Sequence, residues 1–114
     1  MIEIPDDATP ADVVGETDIL AGQDWLVRER LLAFANAMAR DDFDWNEAPP
    51  RERMAFQQGS NGLVITQGHH RWIAARLAGV QIPVKIKILR DFWPGPVTFA
   101  LSWTQVHWED DPDE

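Results

Sequence analysis

Over residues 25–40 apolar side chains recur at helical spacing: Val27, Leu31, Phe34, Ala35 and Met38 form one stripe, while Arg28, Glu29, Arg30 and Asn36 fall off it. The pattern predicts a helix lying on one side of a sheet, with Asp24 as its N-cap. The stripe ends in Asp41-Asp42-Phe43-Asp44-Trp45-Asn46-Glu47, and Pro49-Pro50 bars any continuation, so an acidic loop is expected to follow. Residues 54–57 and the β-branched run 63–66 read as two short strands. Gly59-Ser60-Asn61-Gly62 supplies a hairpin-like turn between them, so the two are expected to pair.

A second helix is predicted over residues 69–78, entered abruptly at Gly68, with Ile73, Ala74 and Leu77 on one face and Gly79 at its C-cap. Ala74, Ala75 and Ala78 allow it to approach a sheet closely. Residues 82–89 then alternate, with Val84, Ile86 and Ile88 to one side and Lys85 and Lys87 to the other, as a half-buried strand does. Strand, helix and strand in so short a stretch predict a compact right-handed βαβ crossover. A loop containing Pro94-Gly95-Pro96 precedes residues 97–108, whose alternation predicts a last strand, or a strand and a short turn. At the N-terminus, Pro5, Pro10, Gly15 and Gly22 interrupt short apolar pieces, which predicts an extended arm with at most a short strand or turn. The expected organisation is an acidic extended arm at 1–23, a domain at 24–108 and an acidic tail at 109–114. Its fold class is a small α/β (α+β) domain, a mixed sheet of about four strands with two main helices.

Composition narrows the function. A chain of 114 residues, 45 % apolar, forms one domain and closes a modest core without metal or disulfide. Cysteine is absent, which excludes thiol chemistry and Cys-ligated zinc. No apolar run approaches the roughly 20 residues of a membrane span, and the acidic start is unlike a signal peptide, so a soluble chain without a membrane partner is expected. The net charge is -9, yet the acids crowd at the ends. Residues 25–108 hold all ten basic residues against seven acids, a net of +3. Acidic flanks argue against broad electrostatic binding of nucleic acid and leave room for a small basic cleft.

The chemistry concentrates where residues 63–66 turn at Gly68 into a helix whose first turn carries His69, His70 and Arg71. Exposed amides at a helix start attract anions, and Gly68 lets the backbone approach a ligand. Arg71 can hold two phosphate oxygens through its planar fork, or pair with a carboxylate of the arm to fix the turn. Adjacent histidines on a helix point about 100 degrees apart, so one of His69 and His70 is expected to act on a ligand rather than both, moving a proton to or from an oxygen. The other role open to each is capping or core packing. Gln67 and Gly68 complete the phosphate-binding set with His69 and Arg71. No His-Glu-x-x-His motif is present; a magnesium ion held by Asp41, Asp42 or Asp44 and bridged to phosphate would be available if the acidic loop folds toward the turn. The six tryptophans read mainly as packing residues and His107 as a solvent-side strand residue.

Residues 62–88 resemble the nucleotide-binding core of the ParB/sulfiredoxin superfamily, through Gly68-His69-His70-Arg71, Ala74-Ala75, Leu77-Ala78-Gly79 and Ile82-Pro83-Val84. A looser resemblance in the order of elements covers residues 24–90. Partition-type ParB proteins carry Glu-Arg where this chain has His69-His70, and a helix-turn-helix domain afterwards, so a complete partition protein is not expected. Sulfiredoxins place a reactive Cys in the turn, and its absence rules out sulfinic-acid repair. With the Trp-rich end at Trp103 and Trp108, the chain looks most like the ParB-like domains of bacterial polymorphic toxins. That resemblance implies a nuclease or NTPase, a hydrolase acting on nucleic acid or nucleoside triphosphate, with His69, His70 and Arg71 catalytic, secreted to act in a target cytoplasm and met by a cognate immunity protein. The alternative is a non-catalytic module that binds a nucleotide or a protein; DNA binding without chemistry fits the charge less well.

Overall fold

The computed structural model describes residues 1–45, 54–59, 62–83 and 100–109, and residues 87–90 in their backbone. In chain order these form α1 (Pro10–Val14), β1 (Leu20–Ala21), β2 (Trp25–Leu26), α2 (Arg28–Ala39), β3 (Met54–Gly59), β4 (Gly62–Gln67), α3 (His69–Ala78), β5 (Lys87–Arg90), a 3-10 turn (Trp103–Gln105) and β6 (His107–Trp108). The fold is a small mixed α/β domain. One sheet has the order β1-β4-β3-β5, and a separate two-stranded ladder joins β2 to β6. No helix among the described residues is long and apolar enough to cross a membrane.

The predicted hairpin is present: β3 and β4 run antiparallel, with Gln57 opposite Val64 and Gly59 opposite Gly62, while the turn residues 60–61 lie outside the described residues. The predicted βαβ crossover is not. β5 pairs with β3 in parallel, Phe56 opposite Leu89, and so runs antiparallel to β4. The helix α3 therefore carries the chain over β3 to that strand's far edge. A hydrophobic run specifies that a strand forms and which face is buried, but leaves its neighbour and direction open. The strand parallel to β4 is β1, from the N-terminal segment, with Leu20 opposite Val64.

Two further expectations are corrected near the N-terminus. Asp24 does not cap α2; the N-cap is Val27, without a side-chain hydrogen bond, and residues 25–26 belong to β2. Their backbone is committed elsewhere: Asp24 and Leu26 carbonyls accept from the amides of His107 (2.9 Å) and Glu109 (2.8 Å). Nor is the acidic segment an extended arm. Thr9 and Asp12 form a reciprocal capping box around α1, whose Pro10 occupies the first turn, and Ile4 and Val14 are buried in the core. Two arginines hold this segment down through carbonyl oxygens. Arg76 donates to Val14 and Glu16 and lies over the Trp72 ring, and Arg28 donates to Pro5, Asp6 and Ala8 and lies over Trp108.

The core joins Leu31, Ala35 and Met38 of α2, Ile73 and Ala74 of α3, and Met54, Phe56 and Ile65 of the sheet. Leu26, Leu31, Met54, Ile65 and Ile73 are wholly buried, each contributing about 1.5–3 kcal/mol through removal of apolar surface from water. Trp72 and Trp103 stack at 5.7 Å, both buried, in keeping with tryptophans used for packing. The predicted loop at 91–96, residues 97–99 and the tail at 110–114 lie outside the described residues; the remainder of 97–108 is the short turn and strand of the second alternative, a 3-10 turn capped by Ser102 preceding β6.

Candidate functional site

The register between β3 and β4 shifts between Ala55 and Phe56, leaving Thr66 out of the ladder, its hydroxyl donating to the Ala55 carbonyl at 3.3 Å. Such an irregularity bends a strand locally, and pairing resumes at Gln67, the last residue of β4, opposite Ala55. Gly68 then adopts the left-handed conformation (φ 85°, ψ 29°) and serves as the N-cap of α3. A Cβ there would stand 3.0 Å from the Met54 Cα, so the position excludes a side chain by conformation and by space. The Trp72 amide donates to the Gly68 carbonyl at 3.0 Å and opens the helix. The amides of His69, His70 and Arg71 are left without an intrahelical acceptor, as in any first turn.

Around this helix start lies an open cleft of about 570 Å³. One wall is the sequence-predicted set, Gln67, Gly68, His69, His70 and Arg71, which the fold brings together. Gln23 and Trp25 line the cleft as well, with Arg30 and Phe34 of α2. Those four were not singled out by the sequence reading. Arg30 and Phe34 are one turn apart on α2 and share a face, a spacing that signals adjacency but not what the pair faces. Arg30 and Arg71 are both engaged within the fold, yet a guanidinium has five N–H donors and can serve several acceptors together.

The histidines are buried, His69 3 % exposed and His70 8 %. They diverge as adjacent helical residues must, and each ring accepts a backbone hydrogen bond through Nε2. The Gly22 amide donates to His69 at 3.1 Å, and the Val27 amide to His70 at 2.9 Å. His70 also lies against Trp25 (5.6 Å between rings) and His69 against Trp103 (6.4 Å). Burial, and next the neighbouring His70, push the His69 imidazole down to about 4, opposed by a hydrogen bond with the Ile65 backbone. It is neutral at pH 7. Gly22 allows this arrangement by its lack of a side chain, because a Cβ there would collide with the Ile65 carbonyl oxygen.

The acidic loop is organised by aromatic packing. Phe43 meets Phe34 edge-on at 5.4 Å and Trp45 meets Phe43 at 4.7 Å, which brings the loop beside the cleft wall. Asp41, Asp42 and Asp44 are exposed, and among the described residues no three His, Asp or Glu side chains come together as a metal site. Arg28 and Arg76 hold the acidic N-terminal segment through its carbonyl oxygens. His107 is exposed and pairs with Glu109 at 2.9 Å.

Fold and site together define a small mixed α/β domain with a two-arginine cleft at the start of a helix. No protein-family model, curated protein or solved structure matches the chain.

Proposed function

We propose that the chain is a phosphate-recognising module whose cleft takes the phosphate groups of a nucleotide, and that it binds its ligand without hydrolysing it. The observation that carries this reading is the convergence of Arg30 and Arg71, from different helices, on the cleft at the first turn of α3. Amides at a helix start and planar guanidinium forks both favour phosphate oxygens. Trp25 and Phe34 add aromatic surface of the kind a nucleobase stacks on. The resemblance of residues 62–88 to the ParB/sulfiredoxin superfamily supports a nucleotide in particular.

Binding is preferred to hydrolysis because of the imidazoles. A general base needs a ring nitrogen lone pair directed at the reacting water, and in both histidines the Nε2 lone pair is spent on a backbone amide. A toxin-type nuclease or NTPase using His69 or His70 would have to break one of these bonds in every turnover.

Calorimetric titration with a nucleoside triphosphate, with and without magnesium, tests the proposal, with phosphate release followed in parallel. Saturable binding is expected, weakened about 10- to 100-fold by Arg71→Ala and by Arg30→Ala, since hydrogen bonds to charged groups contribute about 1.5–3 kcal/mol. Absence of binding would refute the assignment, and magnesium-dependent phosphate release abolished by Arg71→Ala would replace it with the hydrolase.

A further inference from the structure

The two buried histidines grip one segment at both of its ends. Residues 22–27 leave β1, pass through β2 and enter α2; the amide of the first, Gly22, is held by His69 and the amide of the last, Val27, by His70. Between these points the segment supplies Gln23 and Trp25 to the cleft wall, stiffened by a 2.7 Å hydrogen bond from the Gln23 side chain to the Trp25 carbonyl. Its outer side is bound independently, by the ladder to β6. An imidazole accepts a hydrogen bond only while a ring nitrogen keeps its lone pair. Protonation converts that nitrogen into a donor facing another donor, and the bond becomes a repulsion.

We propose that His69 and His70 form a proton-operated latch: neutral, they hold residues 22–27 as a wall of the cleft, and on protonation at Nε2 they release its inner edge. The proton comes from solvent. The inference is independent of what the cleft binds, because it concerns the wall and not the ligand.

The surroundings set the direction. Among the described residues, the charged groups on the neighbouring elements are Arg71 and Arg76 on α3, Arg28, Glu29 and Arg30 in the first turn of α2, Asp24 in the segment itself, and the His107–Glu109 pair at β6. Arg30 and Arg71 line the same cleft as the histidines, whereas Asp24 is exposed. From β4 and the 3-10 turn only neutral groups approach, Thr66, Gln67 and Trp103. The His69 imidazole, buried and next to His70, resists charging while the segment is closed, and charges readily once release admits water. Acid therefore favours the released state. The lowered titration of His69 agrees with this direction.

Amide hydrogen exchange of the intact chain, followed by NMR from pH 7.5 to pH 4 and corrected for intrinsic exchange, tests the latch. Protection at Gly22 and Val27 is expected to fall by about tenfold or more per pH unit below the ordinary imidazole range, since opening is coupled to uptake of at least one proton. The amides of His107 and Glu109, in the outer ladder, and of Ile73, in the core, are expected to keep their protection over the same range. His69→Gln and His70→Gln place a non-titrating oxygen near the Nε2 position. The double variant is expected to abolish the pH dependence at both amides while the wild-type chain retains it. The proposal is overturned if Gly22 and Val27 stay protected until the whole chain unfolds, if Ile73 loses protection at the same pH, or if the folded double variant opens as the wild type does. Should the double variant fail to fold, the wild-type comparison of Gly22 and Val27 with Ile73 decides alone.

Discussion

At the scale of single residues, the helix start depends on two glycines and two imidazoles. Gly68 is required by its positive φ and by the Met54 Cα behind it, and Gly22 by the Ile65 carbonyl. Gly68→Ala and Gly22→Ala are each expected to lower stability by about 1–3 kcal/mol, from backbone strain in the first and overpacking in the second, measured by urea denaturation. The His69 imidazole titrates near 6.5 when unfolded and at about 4 when folded. Between those values the unfolded chain binds more protons, so stability rises with pH there, is complete above the upper value and is lost as pH falls toward the lower one. The loss from this group approaches about 3 kcal/mol at its limit, and denaturation midpoints between pH 7 and pH 4 should show it, with the His69→Gln chain showing less. The grouping of residues 67–71 at one cleft was legible in the Gly68-His69-His70-Arg71 motif, but the hydrogen-bond partners of the imidazoles were not. Two histidines on a helix start read as proton carriers or as capping and packing residues until their partners, Gly22 and Val27, are known, and those lie more than forty residues away in the chain.

Among the elements, local signals succeeded where the determining contacts were local. The second predicted helix, residues 69–78, has the expected bounds, with Gly79 as a left-handed C-cap, and the 54–67 region forms the expected hairpin. The first predicted helix starts three residues late because residues 25–26 pair with β6, some eighty positions away, and a ladder hydrogen bond outcompetes an N-cap for the same backbone groups. Helix α1 shows the reverse case. Thr9-Pro10-Ala11-Asp12 is a capping-box sequence, overlooked because Pro10 and Gly15 read as breakers, and it stabilises a helix too short to form without its packing through Val14. Thr9→Ala is expected to cost about 0.5–2 kcal/mol, with Thr9→Ser recovering most of it, as thermal denaturation would show. The same capping contact with Thr9 holds the Asp12 carboxyl below its ordinary range.

For the whole molecule, the N-terminal segment is structural. It contributes β1 to the main sheet, Ile4 and Val14 to the core, and the carbonyl oxygens that engage Arg28 and Arg76. A chain beginning at residue 24 should therefore lose cooperative unfolding in calorimetry, while retention of a sharp transition would show that the remaining sheet suffices. The sequence by itself determined the α/β class, the main hairpin, the second helix and the cluster at residues 67–71, because alternation, helical periodicity and glycine turns act between near neighbours in the chain. Only the tertiary structure decided that β5 lies beside β3, that β1 lies beside β4, that Arg30 and Arg71 line one cleft, and that both imidazoles accept from backbone amides. Each of these is a choice of partner between segments far apart in the chain, settled by burial and by the need of every buried polar group for a complement, quantities that no local pattern of residue types contains.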